Sequence, residues 1–133
     1  MKGQFLMYSL FEATIAAVST PRGKGGIAVI RISGGDALPI CEKFIRPKSG
    51  APLSEIKANT ACLAAVSAAD GSILDEAVIT VYRAPKSYTG EDTVEISCHG
   101  GILLTEAILA RTFVLNFCDT KSSMYEGADI STD

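Results

Sequence analysis

The chain has 133 residues, which is enough for one domain with its own core. Hydrophobic residues make up 47% and charged residues 20%, and this composition excludes a chain that is disordered throughout. The formal charge of −3 gives no basic field for nucleic acid. There is no apolar run long enough to span a membrane and no signal-peptide pattern, so we expect a cytoplasmic protein.

The net charge belongs entirely to the C-terminal end. Residues 119–133 hold four acids and one base, whereas the preceding residues hold equal numbers of each. This end is rich in Ser, Thr, Gly and Asp and has no apolar period. It therefore predicts an acidic, disordered or loosely attached tail. We divide the chain into an N-terminal extension (1–13), a domain (14–118) and this tail.

The first half of the chain predicts two strands and one helix. A short β-branched and alanine run indicates a strand at 14–18, followed by a Pro- and Gly-rich loop at 19–26. The clearest strand is 27–33, which is mostly β-branched. A helix is predicted over 36–45, where the apolar residues recur at helical spacing and Arg46-Pro47 ends the pattern.

The second half predicts three more strands and a second helix. The strands are expected at 60–66, 75–82 and 93–98, with an Asp70-Gly71 turn between the first two. A polar loop at 83–92 precedes the last strand, and the glycines after it form a hinge into the helix. About five strands and two helices predict a single α/β or α+β domain.

Cysteine spacing favours neither a metal site nor a catalytic thiol. The four cysteines contain no CxxC pair, and the single histidine, His99, completes no usual zinc set with them. Cys98 and His99 are neighbours on a predicted strand, so their side chains point to opposite faces and cannot act as a pair. We predict no metal ligand and no catalytic residue.

A glycine-rich loop precedes the clearest strand. Gly23, Gly25 and Ala28 loosely match a dinucleotide-binding fingerprint, which requires a helix directly after the glycines. Here a strand is predicted after them, so there is no helix N-terminus that could bind a phosphate. No Walker A motif is present. The loop is either a flexible connection or a ligand contact made through Arg22 and Lys24, and both interpretations remain open.

Two charged residues on apolar strands are candidate binding residues. Arg31 lies on the same predicted face as Ile27 and Val29, where a guanidinium needs an anionic or carbonyl partner. Glu95 belongs to a polar set that alternates with an apolar one on the last strand. Each residue either pairs structurally or meets solvent, or it contacts a ligand in a cleft.

Three sequence motifs follow one another along the chain. They are Thr14-Ile15-Ala16-Ala17 with Thr20-Pro21-Arg22-Gly23-Lys24-Gly25-Gly26-Ile27; Ile30-Arg31-Ile32-Ser33-Gly34; and Ala84-Pro85-Lys86-Ser87-Tyr88-Thr89-Gly90-Glu91-Asp92 with Val94-Glu95-Ile96 and His99-Gly100-Gly101. In this order and register, the motifs resemble the N-terminal domain of the MnmE (TrmE) family of tRNA-modification GTPases. The resemblance covers residues 14–111.

The resemblance implies a fold and a role. The family's domain is an α/β module similar to folate-binding aminomethyltransferases, and for this chain we expect a mixed sheet of about five strands with two or three helices. It forms homodimers and binds 5-formyltetrahydrofolate or a related reduced folate, which Arg31 and Glu95 would contact here. Complete members add a helical domain and a potassium-dependent G domain that binds GTP and magnesium. With their partner MnmG, which carries FAD and uses NADH, they modify the wobble uridine of certain tRNAs.

The chemistry of folate agrees with both residues. A pterin ring presents an N–H and an NH2 side by side, and one carboxylate such as Glu95 can accept from both. Folate also carries carbonyl groups and carboxylates, which suit the guanidinium of Arg31.

The chain departs from the family after Arg111. The family continues with a segment whose lysine also contacts folate, and that lysine has no counterpart here, because Lys121 stands in an unrelated context. We expect a chain truncated before the helical and G domains, without GTP hydrolysis of its own. Two alternatives to a folate-binding domain remain: a dimerisation module that binds no ligand, and a stand-alone one-carbon transferase.

Overall fold

The computed structural model describes residues 14–20 and 26–127, with the side chains of the last helix described as far as Leu115. The predicted N-terminal extension at 1–13, the glycine loop at 21–25 and the last six residues of the predicted tail, 128–133, lie outside the described residues.

Six strands in the described part of the chain form one sheet, in the order β1-β2-β6-β5-β4-β3, and every pairing is antiparallel. The α+β class is therefore confirmed, with six strands instead of about five and an antiparallel sheet instead of a mixed one. The elements are β1 (Ile15–Val18), β2 (Ile27–Ser33), α1 (Ala37–Glu42), β3 (Ile45–Pro47), a 3-10 turn (Leu53–Glu55), β4 (Ala61–Ser67), β5 (Ile73–Tyr82), β6 (Thr93–His99) and α2 (Ile102–Gly127).

The core lies between the two helices and one face of the sheet, which we call the covered face. Alternate residues of β2, β5 and β6 point into it because successive strand side chains face opposite sides. Burying an aliphatic side chain of this kind stabilises the fold by about 1.5–3 kcal/mol. The fully buried strand residues include Ile30, Ile32, Ile79, Val81, Val94 and Ile96, and helix residues Ile40, Cys41 and Ile108 pack in the same cluster.

The third strand corrects the predicted end of the first helix. The helix was expected to reach Ile45, but α1 ends at Glu42 and residues 45–47 pair with β4 as an edge strand. The Ser67 N–H donates to the Phe44 carbonyl at 2.9 Å just before this strand. A strand of three residues depends on its pairing with β4, and it is too short to show a periodic pattern in the local sequence. Pro47 is tolerated because β3 lies at the sheet edge.

The last helix begins after the predicted glycine hinge. Gly101 has a φ of +142°, which favours glycine, and its carbonyl accepts from the Thr105 N–H at 3.1 Å. The helical backbone continues to Gly127, and no glycine or proline interrupts the sequence between Ile102 and that point. The disordered or loosely attached tail expected from residue 119 stays a prediction. The domain boundary at 118 stays a prediction. No helix in the described ranges is long and apolar enough to span a membrane.

Candidate functional site

The other side of the sheet, which we call the open face, carries the predicted site residues. Cross-strand partners place Arg31 opposite Glu95, Val29 opposite Ser97, and Leu63 opposite Val78 on this face. Several of its aliphatic side chains are exposed, whereas the central aliphatic side chains of the covered face are fully buried. The exposed aliphatic residues of the open face are Ile15, Ile27, Leu63 and Val78.

Arg31 and Glu95 stand directly opposite each other on β2 and β6. Arg31 Nη2 lies 3.6 Å from Glu95 Oε1, and the two side chains are 31% and 21% exposed. This distance makes an ion pair but is too long for a hydrogen bond, so both groups keep hydrogen-bonding capacity. The structure brings the two predicted residues together.

The Arg31 guanidinium also has an unsatisfied donor. Its Nε atom is buried and has no hydrogen-bond partner among the described residues. Buried donors in proteins are nearly always paired, so an orphaned one next to a carboxylate at a partly open surface marks a place for an acceptor. A carbonyl or carboxylate oxygen of a ligand would supply that acceptor, while the donors of the same ligand could reach Glu95.

Tyr82 adds a hydroxyl that the sequence analysis missed. It follows Thr80, the cross-strand partner of Glu95, by two residues and therefore shares the open face. Burial raises the pKa of Tyr82, and the charge of Glu95 and a hydrogen bond with it raise the pKa further. The neutral hydroxyl thus helps to hold the Glu95 carboxylate. The alternation of β5 could have found this residue, since it places Tyr82 on the face opposite Val81.

Tyr88 lies above the pair, on the loop between β5 and β6. The Arg31 guanidinium carbon is 5.3 Å from the centre of its ring, a cation–π contact. The ring is nonetheless 90% exposed. The sequence predicts this loop only as polar and as part of a motif, and no signal in it singles out the tyrosine.

Hydroxyl groups tie the Tyr88 loop to the sheet. Ser33 Oγ and Thr89 Oγ1 are 2.6 Å apart, and the Ser33 hydroxyl donates to Glu91 Oε2 at 3.2 Å. Thr93 Oγ1 lies 3.1 Å from Thr89 Oγ1 and donates to the Glu91 carbonyl. These bonds join the end of β2, the loop and the start of β6, so the loop has a defined position over the open face.

Cys98 and His99 point to opposite faces, as the sequence predicts. Cys98 is buried, and burial, then the charge of Asp75, raise the pKa of its thiol. His99 is exposed and its Nδ1 lies 2.8 Å from Asp75 Oδ1. The nucleophilic thiolate is disfavoured and the imidazole cannot reach it. Among the residues that the structure describes, no three His, Cys, Asp or Glu side chains are grouped to hold a metal ion.

The geometry defines an α+β domain with a charged cluster, flanked by aromatic residues, on one open sheet face. Comparison with known proteins goes further. A family model described as "GTP-binding protein TrmE N-terminus" matches residues 14–122, which is most of the chain. The chain therefore belongs to the TrmE N-terminal family.

Full-length relatives point the same way. The tRNA modification GTPase MnmE of Carboxydothermus hydrogenoformans is 48% identical over 101 residues, covering 75% of this chain and 22% of the relative. The protein of the same name from Symbiobacterium thermophilum is 47% identical over 98 residues, covering 74% of this chain and 21% of the relative. That from Parabacteroides distasonis is 48% identical over 98 residues, with coverages of 73% and 21%. The chain spans about a fifth of these relatives' length.

Proposed function

We propose that this chain is the reduced-folate-binding and dimerising domain of a tRNA-modification GTPase. Its ligand is 5-formyltetrahydrofolate or a close relative, held on the open face by Arg31 and Glu95. The domain is not catalytic by itself. In the complete assembly it supplies the one-carbon donor, while GTP, the partner protein MnmG and the tRNA engage other parts.

The observation that carries this proposal is the Arg31–Glu95 pair. Folate has an amino-pyrimidine edge that donates two parallel hydrogen bonds, and Glu95 has acceptor capacity because its ion pair is not a hydrogen bond. The buried Nε of Arg31 has no partner and would meet a carbonyl or carboxylate of the ligand. One folate molecule would supply both the donors for Glu95 and the acceptor for Arg31 Nε. When bound, the folate would supply the one-carbon unit.

Calorimetric titration of the whole chain with 5-formyltetrahydrofolate tests the proposal. We expect micromolar binding by the wild type. Glu95→Gln and Arg31→Gln should each weaken it tenfold to a hundredfold, because a lost charge-assisted contact costs about 1.5–3 kcal/mol. Glu76→Gln is the matched control. Glu76 lies on the open face but pairs with Lys48 at 2.6 Å, so binding should stay within about twofold.

Two results would contradict the folate proposal. One is the absence of binding heat from wild-type chain that is shown to be folded. The other is binding by Glu95→Gln and Arg31→Gln that equals that of the wild type.

The second candidate function is a dimerisation module without ligand. The observation that favours it is the aliphatic surface of the open face, where Ile27 is 68% exposed and Leu63 47%. Residues 1–118 carry no net charge, so two copies would not repel each other. Sedimentation separates the candidates: a dimer that is indifferent to folate supports the module, and a dimer that binds folate supports the main proposal.

A further inference from the structure

Tyr88 combines an exposed ring with a fixed backbone. A 90% exposed aromatic side chain gains little from burial, so its position does not come from packing in the core. The residues on either side of it are tethered: Ser87 Oγ donates to the Glu91 carbonyl, and Thr89 contacts Ser33. The loop is tethered at its base as well, where the Ala84 N–H donates to Asp92 Oδ1 at 2.8 Å.

This arrangement holds a large flat surface over a binding pair. The only ring contact that the described residues give Tyr88 is with Arg31, at 5.3 Å. A tyrosine ring offers broad contact area and has few rotatable bonds, so little entropy is lost when it covers a ligand. The tethers reduce that loss further because the backbone is already positioned.

We propose that Tyr88 is a ligand-contacting residue that stacks on the bicyclic ring whose edge Glu95 and Arg31 hold. This inference rests on the proposed folate function and adds to it the residue that selects a flat heteroaromatic ring. Two stacked planes lie about 3.5 Å apart, so the present gap between Tyr88 and Arg31 does not admit a third ring between them. Tyr88 therefore covers the guanidinium in the free protein and turns to cover the ring when the ligand binds.

The test compares ring-bearing and ring-free ligands in three proteins. The probes are 5-formyltetrahydrofolate and p-aminobenzoylglutamate, which keeps the folate tail but lacks the bicyclic ring. Tyr88→Ala should bind 5-formyltetrahydrofolate about tenfold more weakly than wild type, since stacking on an aromatic residue contributes on this scale. Tyr88→Phe should bind within about twofold of wild type, because it keeps the ring. Affinity for p-aminobenzoylglutamate should not change.

A matched control and a direct signal sharpen the test. Phe113 is an aromatic residue of α2 that is 51% exposed, and Phe113→Ala should leave folate binding unchanged. The chain has four tyrosines and no tryptophan, so folate should quench tyrosine fluorescence less in Tyr88→Ala than in wild type. Equal thermal unfolding of both proteins would establish that the variant is folded.

Each possible result either supports or contradicts the stacking role of Tyr88. Wild-type binding with a selective loss in Tyr88→Ala and rescue in Tyr88→Phe supports it. Wild-type binding that Tyr88→Ala leaves within twofold overturns the stacking role while the folate proposal stands. An equal loss of affinity for both probes also overturns it, because the ring would then not be what Tyr88 recognises. No folate binding by folded wild type overturns both.

Discussion

The two faces of the sheet differ in the chemistry and in the burial of their side chains. The covered face is mainly aliphatic and its central residues are fully buried, as at Ile30, Ile79 and Ile96. The open face mixes charge, hydroxyl groups and exposed aliphatic side chains, as at Arg31 and Glu95. Because strand side chains alternate, neighbouring residues in the sequence serve these different purposes. The stability of the fold should therefore depend mainly on the residues of the covered face. Ligand binding and association should depend on the alternate residues, which lie on the open face.

The largest expected effect is on the covered face. Ile96→Ala should reduce the free energy of unfolding by about 2–5 kcal/mol, because it removes buried methyl groups and leaves a cavity. Ile96→Val should cost about 0.5–1.5 kcal/mol. Ser97→Ala, one residue further and on the open face, should change stability by less than about 0.5 kcal/mol. Urea unfolding of the three variants measures these changes. Equal losses of unfolding free energy in Ile96→Ala and Ser97→Ala would contradict the difference between the two faces.

The next effect concerns association through the open face. Val78 is central in the sheet and 43% exposed, so Val78→Lys would place a charge where two copies are proposed to meet. The dissociation constant of the dimer should rise by about tenfold or more, because burying an unpaired charge is costly. Sedimentation velocity over a concentration series measures it. Leu103→Lys is the control on α2, where Leu103 is 88% exposed. If both variants shifted the equilibrium equally, the open face would not be the interface.

The smallest effect is a pH dependence at Tyr82. Its pKa is raised in the folded chain, so the protonated hydroxyl stabilises the fold fully below the unfolded value of about 10. Above that pH the unfolded state releases the proton first, and the contribution is lost as pH rises through the folded pKa. Wild type should therefore lose more stability than Tyr82→Phe between pH 8 and about 10.5. Urea unfolding at both values checks this, and parallel losses would contradict it.

Sequence patterns predicted the strands that alternate strongly and missed the one that does not. β2 and β6 are mostly β-branched or alternating, and both lie where they were expected. β3 has three residues and exists through its pairing with β4, which no local pattern encodes. The helix predicted over 36–45 ended early for the same reason, since Ile45 is buried in a strand instead.

The site was predictable in part. Alternation alone placed Arg31 on the face it occupies, and it separated Cys98 from His99. That Arg31 stands directly opposite Glu95 depends on the register between two strands far apart in the sequence, which neither strand contains alone. Tyr88 was missed because its contact with Arg31 depends on a loop conformation, whereas the alternation of β5 could have placed Tyr82 on the open face.

The most direct test of the account is a map of where folate touches the chain. Amide chemical shifts of 15N-labelled protein would be followed during titration with 5-formyltetrahydrofolate. We expect the largest changes at Arg31, Glu95 and the loop of residues 83–92, with small changes in α1 and α2. Changes centred on the helices, or no changes at saturating folate, would contradict the claim that the open face is the binding surface.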